Sequence, residues 1–165
     1  MKELTIIRHA KSSWAEPGLS DHDRPLNKRG LQNSPEMGQR LRQKATRFDL
    51  IVSSHALRAR QTAQLIAGAI DYPADQIRIE QNLYLASSSE ILAVARSLPN
   101  QHSRIVLVGH NNGITDLANV FSPEYIANVP TCGILTMRFD MEEWNHLDPA
   151  FLDSFSFDYP KNNYS

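Results

Sequence analysis

The sequence has one cysteine, Cys132, and a single thiol cannot form an internal disulfide framework or a thiolate metal cluster. It also lacks an apolar run long enough to span a membrane, and because Met1 leads almost directly into the first apolar strand, we expect no signal peptide. Lysine and arginine number 17 against 18 aspartates and glutamates, so no global basic field favours nucleic acid or a membrane surface. We therefore expect a cytoplasmic protein in which any recognition of anions is local.

Length and composition are typical of one globular domain. The chain has 165 residues, of which 41% are hydrophobic and 21% charged, enough to bury a substantial core. We expect a single domain over residues 1–165, with no internal repeat or linker, and a monomer as the default. Cys132 is expected to be a small core residue near the start of a strand.

Strand-like and helix-like patterns alternate along the chain, which favours an α/β three-layer α/β/α sandwich. Its central sheet is predicted to be mostly parallel, with late antiparallel strands. Pro35 indicates a late start or a kink in the first helix, and a hairpin-like connection is expected around residues 142–144. The predicted strands cover residues 4–8, 48–54, 76–80, 104–110, 133–139 and 151–159, and the predicted helices cover residues 28–44, 56–70, 90–98 and 114–121.

Arginine and histidine side chains lie at or after the ends of three predicted strands. The first strand ends at Arg8 and His9, the second is followed by Arg58 on the next helix, and the fourth ends at His110. Ligands of open α/β sheets bind beyond the carboxyl ends of the strands, so these side chains are predicted to converge. Arginine matches the geometry of phosphate, and histidine is a nucleophile or acid–base near neutral pH. Such a set could hold and transfer a phosphoryl group without a metal.

The same motifs resemble the histidine phosphatase superfamily, whose hallmark is an Arg-His pair after the first strand. The matching pieces are residues 7–10, residues 53–63 with Arg58, and residues 108–110. Residues 23–30, with the sequence Asp-Arg-Pro-Leu-Asn-Lys-Arg-Gly, and the compact length are similar to the small SixA-type phosphohistidine phosphatases. Unlike larger members, which carry Arg-His-Gly, this chain has Ala10 at the third place.

The resemblance implies a role for each of these residues. His9 is expected to attack phosphorus and form a phosphohistidine intermediate that water hydrolyses. Arg8 and Arg58 are expected to bind the phosphoryl oxygens, and His110 to donate a hydrogen bond to them. Ser13 and Asn111 are candidates for further phosphate contacts, or they only cap the segments that follow them.

A general acid is missing from its usual place in the family. Many of these phosphatases have a glutamate after the third strand, whereas residues 83–87 here contain no carboxylate. Asp21 and Asp23 are candidate proton donors, but solvated loop carboxylates are the simpler interpretation. An alkoxide needs a proton to leave, whereas imidazole is a far better leaving group, so the absence favours N–P substrates or phosphates on good leaving groups.

Several functions are compatible with this pattern. The leading hypothesis is a cofactor-independent phosphatase acting on phosphohistidine of a partner protein, such as a histidine phosphotransfer domain. The alternatives are a phosphatase of a small phosphorylated metabolite, contacted by Lys11, Trp14 or Tyr84, and a catalytically weak phosphate-binding or phosphoprotein-binding module. A mutase usually needs the absent acid. A metal site built from His9, His110 and Asp23 is disfavoured because the arginines repel cations, so no metal or other cofactor is expected.

Overall fold

The computed structural model describes residues 1–44 and 47–162 and has one six-stranded sheet in the order β3-β2-β4-β1-β5-β6. The first four strands in this order are parallel to one another, and β5 and β6 are antiparallel to their neighbours. The strands are β1 (Lys2–Arg8), β2 (Leu50–Ser53), β3 (Arg78–Ile79), β4 (Arg104–Gly109), β5 (Ile134–Phe139) and β6 (Leu152–Asp158), and the helices are α1 (Lys28–Lys44), α2 (Leu57–Ala69), α3 (Ser88–Arg96) and α4 (Gly113–Phe121).

The alternation of side chains along the central strands builds a core on each face of the sheet. Leu4 and Ile6 of β1 point to the face covered by α3 and α4. Ile7 points to the opposite face, where it packs in one cluster with Met37 of α1 and Ile66 of α2. The predicted three-layer sandwich, mostly parallel with late antiparallel strands, is confirmed. Cys132 is fully buried two residues before β5.

Pro35 does not delay the first helix, because α1 begins at Lys28 and runs through the proline. The side chain of Asn27 accepts a hydrogen bond from Gly30 N (2.9 Å), which satisfies one amide of the first turn. Pro35 cannot donate to the carbonyl of Leu31. Leu31 is exposed, so water can satisfy its carbonyl. The predicted bounds of residues 28–44 are therefore confirmed, and the late start that was one of two alternatives for Pro35 does not occur.

One predicted strand is shorter in the structure, and one predicted connection has more internal structure than its sequence indicates. The third strand is shorter than predicted, because short 3-10 turns at Ala74–Gln76 and Gln81–Leu83 flank the two residues of β3. The hairpin-like connection expected around residues 142–144 joins the antiparallel neighbours β5 and β6. It contains two 3-10 turns and the fully buried Trp144, whose indole donates a hydrogen bond to His102 O (2.8 Å).

The register of the sheet aligns the ends of three parallel strands. Arg8 of β1 pairs with Gly109 of β4, and Ser53 of β2 pairs with Val108 of β4. The residues that follow these strands, His9, Ser54 and His110, therefore meet at one edge of the sheet. This edge is where ligands bind in open α/β folds.

Candidate active site

His9 is buried at the end of β1, and its ring orientation is defined by its hydrogen bonds. Its Nδ1 lies 2.7 Å from the carbonyl oxygen of Ala10, which can only accept, so Nδ1 carries the proton. Its Nε2 accepts a long hydrogen bond from Arg58 Nε (3.4 Å) and therefore carries the lone pair. Burial, followed by the charges of Arg58 and Arg8, lowers the pKa of His9 to about 4. At neutral pH Nε2 is an unprotonated nucleophile.

Thr62 fixes the backbone beside His9. Its hydroxyl accepts a hydrogen bond from Ala10 N (2.9 Å) and donates one to Arg58 O (2.8 Å), one turn earlier on α2. The amide of Cys132 lies within hydrogen-bond distance of both Arg8 O (3.0 Å) and His9 O (3.1 Å). Burial raises the pKa of the Cys132 thiol to about 12, so this thiol is no nucleophile at neutral pH.

His110 lies opposite His9, with the two ring centroids 5.2 Å apart. Its Nδ1 is 3.4 Å from Arg58 Nη2, which can only donate, so the ring proton is on Nε2 and is donated to Ser54 Oγ (2.8 Å). Burial, then the neighbouring His9 and Arg58, lowers the pKa of His110 to about 3. The ring is neutral in this state, and binding an anion would favour its charged form.

The two arginines of the site have different partners. Arg58 is buried between the two histidines, while Arg8 donates from Nη1 to the carbonyl of Val129 (2.9 Å). In the described part of the chain, the buried Nε of Arg8 has no hydrogen-bond partner. Because buried donors favour ligands that accept hydrogen bonds, this cationic site is suited to an anion with several oxygen atoms.

Asp21 is the carboxylate that reaches this site. Its Oδ2 accepts hydrogen bonds from Arg58 Nη2 (3.0 Å) and Tyr84 OH (2.5 Å), and its backbone oxygen accepts from Arg58 Nη1 (2.6 Å). Partial burial raises the pKa of Asp21, but the hydrogen bonds from Tyr84 and Arg58 outweigh that effect and leave the pKa below its ordinary value. The hydrogen bond to Asp21 raises the pKa of Tyr84, so its phenol stays a donor.

The other candidate carboxylates have different partners. Asp23 is hydrogen-bonded to Ser20 (2.9 Å) and His22 (3.3 Å). The bond from Ser20, followed by the one from His22, lowers the pKa of Asp23. Glu90 forms a capping box with Ser87 at the start of α3, where these hydrogen bonds lower its pKa. The structure thus places Asp21, and not Asp23, beside the predicted phosphate-binding side chains.

The remaining candidates are engaged in local structure. The Ser13 hydroxyl accepts from Ala15 N (3.3 Å) in the loop after β1. The side-chain oxygen of Asn111 accepts from the backbone and hydroxyl of Thr115, and its amide donates to Val129 O (3.4 Å), the carbonyl that also binds Arg8. Asn111, one residue before the N-cap Asn112, therefore satisfies an amide in the first turn of α4 and shares the Val129 carbonyl with Arg8.

Sequence reasoning did not assign roles to three residues of this site: Ser54, Thr62 and the Tyr84 hydroxyl that binds Asp21. Ser54 could have been found, because it directly follows β2 at the level of His9 and His110. Thr62 has no such signal, since its hydroxyl bonds depend on how α2 packs against the end of β1. Across the described ranges, no group of three or more histidine, cysteine, aspartate or glutamate side chains is arranged to hold a metal ion.

Comparisons with known proteins agree with this fold and geometry. The family model of the histidine phosphatase superfamily (branch 1) matches residues 4–84. An uncharacterised protein of Mycobacterium tuberculosis is 31% identical over 165 residues, covering 94% of this chain and 100% of the relative. The chain therefore belongs to the histidine phosphatase superfamily.

Two solved structures place it near the SixA proteins within that superfamily. The candidate phosphohistidine phosphatase SixA from Nakamurella multipartitia superposes with a TM-score of 0.81 and is 26% identical, covering 98% of this chain and 97% of that one. The corresponding candidate from Agrobacterium tumefaciens gives 0.74 and 28% identity, covering 94% and 97%. The chain is a SixA-like phosphatase by family and fold. Within the residues that the structure describes, no helix is long and apolar enough to cross a membrane.

Proposed function

We propose that the protein hydrolyses phosphohistidine on a partner protein, by two successive phosphoryl transfers through His9. One observation carries the proposal: a nucleophilic imidazole lies among cationic and hydrogen-bond donor groups, while the neighbouring carboxylate of Asp21 is held ionised by Arg58 and Tyr84. The site thus pairs an unprotonated imidazole nucleophile with a neighbouring carboxylate that is ionised and so cannot act as a general acid.

In the first step, the Nε2 lone pair of His9 attacks phosphorus, and the P–N bond to the substrate imidazole breaks. The second nitrogen of that imidazole takes a proton from solvent near neutral pH, so the ring departs neutral without an acid from the enzyme. Arg8 and Arg58 bind the phosphoryl oxygens as charge spreads over them. Since Arg58 also binds Asp21, the incoming phosphoryl group competes with this carboxylate for the guanidinium.

In the second step, water attacks the phosphorylated His9. The Nδ1 proton of His9 stays on the ring throughout, because it is donated to the Ala10 carbonyl. With Nδ1 protonated and Nε2 phosphorylated, the ring is an imidazolium and leaves as neutral imidazole when the P–N bond breaks. The proton lost by water goes to the phosphate product or to solvent. Both steps therefore expel a neutral imidazole, which explains why no general acid is needed.

The surroundings of the site support a side chain of another protein as the substrate. Tyr84 and Asp21 at the rim are only partly covered, and Trp14 on the loop after β1 is 66% exposed. A phosphohistidine on the surface of a folded partner can reach such an open edge. The two SixA structures, which carry the name of phosphohistidine phosphatases, support the same substrate class.

The test compares phosphate release from a histidine-phosphorylated phosphotransfer domain, an aryl phosphate and phosphoserine, with a metal chelator present throughout. We expect release from the first two, at least about 100-fold weaker release from the alkyl ester, and none from the His9→Ala variant. Equal turnover of the alkyl ester would reveal an acid and favour a small phosphorylated metabolite. Phosphate binding without release from any substrate would indicate a binding module.

A further inference from the structure

A groove of about 330 Å³ is lined in part by the loops that follow β1 and precede β5, and it carries a concentration of positive charge. Its lining combines three cations, Lys11, Arg29 and Lys161, with the apolar surfaces of Pro130, Tyr159 and Pro160. We call this surface the basic groove. A groove with apolar walls and a charged rim resembles the centre and edge of a protein–protein interface.

The three cations of the basic groove differ from the arginines that carboxylates neutralise. Arg42 pairs with Asp71, Arg104 with Glu3 and Arg58 with Asp21. In the part of the chain that the structure describes, Lys11, Arg29 and Lys161 have no carboxylate within ion-pair distance. In a chain with a net charge of −1, such a local excess of positive charge produces an attractive field for an acidic partner.

The basic groove adjoins the site where phosphorus would be attacked. Lys11 follows His9 by two positions, so their Cα atoms are at most about 7 Å apart. On the other wall, Pro130 directly follows Val129, whose carbonyl binds the guanidinium of Arg8. A protein segment lying in the groove would therefore flank a phosphorylated side chain bound between Arg8 and His9.

The walls of the groove are fixed before any partner binds. Lys11 O accepts a hydrogen bond from Asn27 N (2.9 Å), which ties the loop to the start of α1. At the other wall, Arg40 donates to Tyr159 O (3.0 Å) and Pro160 O (3.1 Å) and so holds the C-terminal segment against α1. A preformed surface loses little conformational entropy on binding, which favours its use for recognition.

We infer that the basic groove binds an acidic segment of the phosphorylated partner protein, next to the phosphohistidine that His9 attacks. This inference rests on the proposed function and names the feature by which the substrate protein is selected. A free phosphate ion is a poor match for the groove, since the cations are exposed and separated by apolar surface, whereas an acidic segment with apolar side chains matches both features. Charge complementarity of this kind accelerates association and rejects partners of the wrong charge.

The test uses the full chain with two phosphohistidine substrates: a phosphorylated histidine phosphotransfer domain of net negative charge, and free phosphohistidine. The double variant Arg29→Glu/Lys161→Glu reverses two groove charges without touching the residues that bind phosphate. We expect kcat/KM for the protein substrate to fall about tenfold or more, and that for the free amino acid to stay within about twofold. Raising NaCl from about 50 to about 500 mM should slow the wild type on the protein substrate more than the variant.

Lys44→Glu is the matched control, because it reverses an exposed cation on α1 about 22 Å from Arg29 along the helix axis. It should leave both substrates unchanged, and thermal melting should show all variants folded. The groove has no docking role if the double variant retains full activity on the protein, or loses equal activity on both substrates. If the wild type releases phosphate from neither substrate, the proposed function itself fails.

Discussion

Asp21 partly neutralises the cationic site through its bonds to Arg58 and Tyr84. Its carboxylate accepts a hydrogen bond from Arg58 Nη2, and its backbone oxygen accepts one from Nη1. The side chain is 44% exposed, so solvent screens the pair and its strength is modest. Substrate binding must divide the guanidinium between Asp21 and the phosphoryl group, or displace Asp21 altogether.

Replacing Asp21 by asparagine tests this interpretation against a role as proton donor. The variant removes the competing charge, so inorganic phosphate should inhibit about fivefold more strongly. Phosphohistidine hydrolysis should change by less than about tenfold, because a carboxylate held ionised donates no proton. Inhibition constants and kcat for the two enzymes provide the measurement. A loss of about 100-fold or more in kcat would make Asp21 the general acid.

For single residues, the sequence predicted which side chains lie close together, but it did not predict which hydrogen bonds they form. Arg8, His9 and His110 could be placed together because they follow parallel strands, and the register of those strands is set by their apolar patterns. The bonds of Asp21 depend on the path of a loop, and those of Thr62 on the rotation of α2. Neither the path of the loop nor the rotation of the helix can be predicted from the pattern of residue types.

Among the elements, α1 controls the segment that follows His9. Its first turn lies directly on Lys11: a Cβ added to Gly30 would lie 2.3 Å from Lys11 O. The side chain of Gln61 on α2 accepts from Leu26 N (2.8 Å), which ties the start of α1 to the second helix. Through these contacts, the two helices on one face of the sheet hold in place the backbone segment that follows His9.

The glycines of the two helices provide a matched pair of variants. Gly30→Ala must push α1 away from Lys11, so we expect a loss of about 1–3 kcal/mol in the free energy of unfolding and a lower kcat. Gly68→Ala, on α2, meets no atom within 4 Å and should gain about 0.5–1 kcal/mol, because alanine is the better helix former. Urea unfolding of both variants gives the comparison. Equal effects would show that α1 does not press on Lys11.

The helices and long strands were predicted nearly to their ends, because periodicity and capping residues such as Asn27 and Ser87 mark them. The sequence patterns did not predict those segments whose length or path is determined by tertiary contacts. β3 has only two residues because turns flank it, and the connection after β5 is shaped by burial of Trp144. Pro35 looked disruptive, yet it lies where its missing hydrogen bond faces the exposed side of α1.

Considered as a whole, the molecule buries two neutral histidines at the edge of its sheet. Burial lowers the pKa of His9 to about 4 and that of His110 to about 3, against about 6.5 in an unfolded chain. As pH falls below about 6.5, the unfolded state takes up protons that the folded state does not bind. Stability is therefore lost progressively as pH falls from about 6.5 towards about 4.

The pH dependence of unfolding tests this linkage. His9 alone contributes a loss of up to about 3 kcal/mol over that interval. Urea unfolding at several pH values between about 7 and about 4.5 should show stability falling less steeply in a His9→Gln/His110→Gln variant than in the wild type. The difference in slope is the readout, since protonation of carboxylates affects both proteins. Identical slopes would mean that the two rings take up protons in the folded protein as readily as in the unfolded chain.

The most direct test of the account is to trap the phosphorylated enzyme. A phosphorylated histidine phosphotransfer domain would be mixed with the protein and quenched rapidly in alkali, under which phosphohistidine survives, and the phosphorylated residue located by mass spectrometry. We predict phosphate on His9 in the wild type and none in the His9→Ala variant. Phosphate release without a phosphorylated His9, or undiminished release by the variant, would contradict the central claim that His9 is the nucleophile.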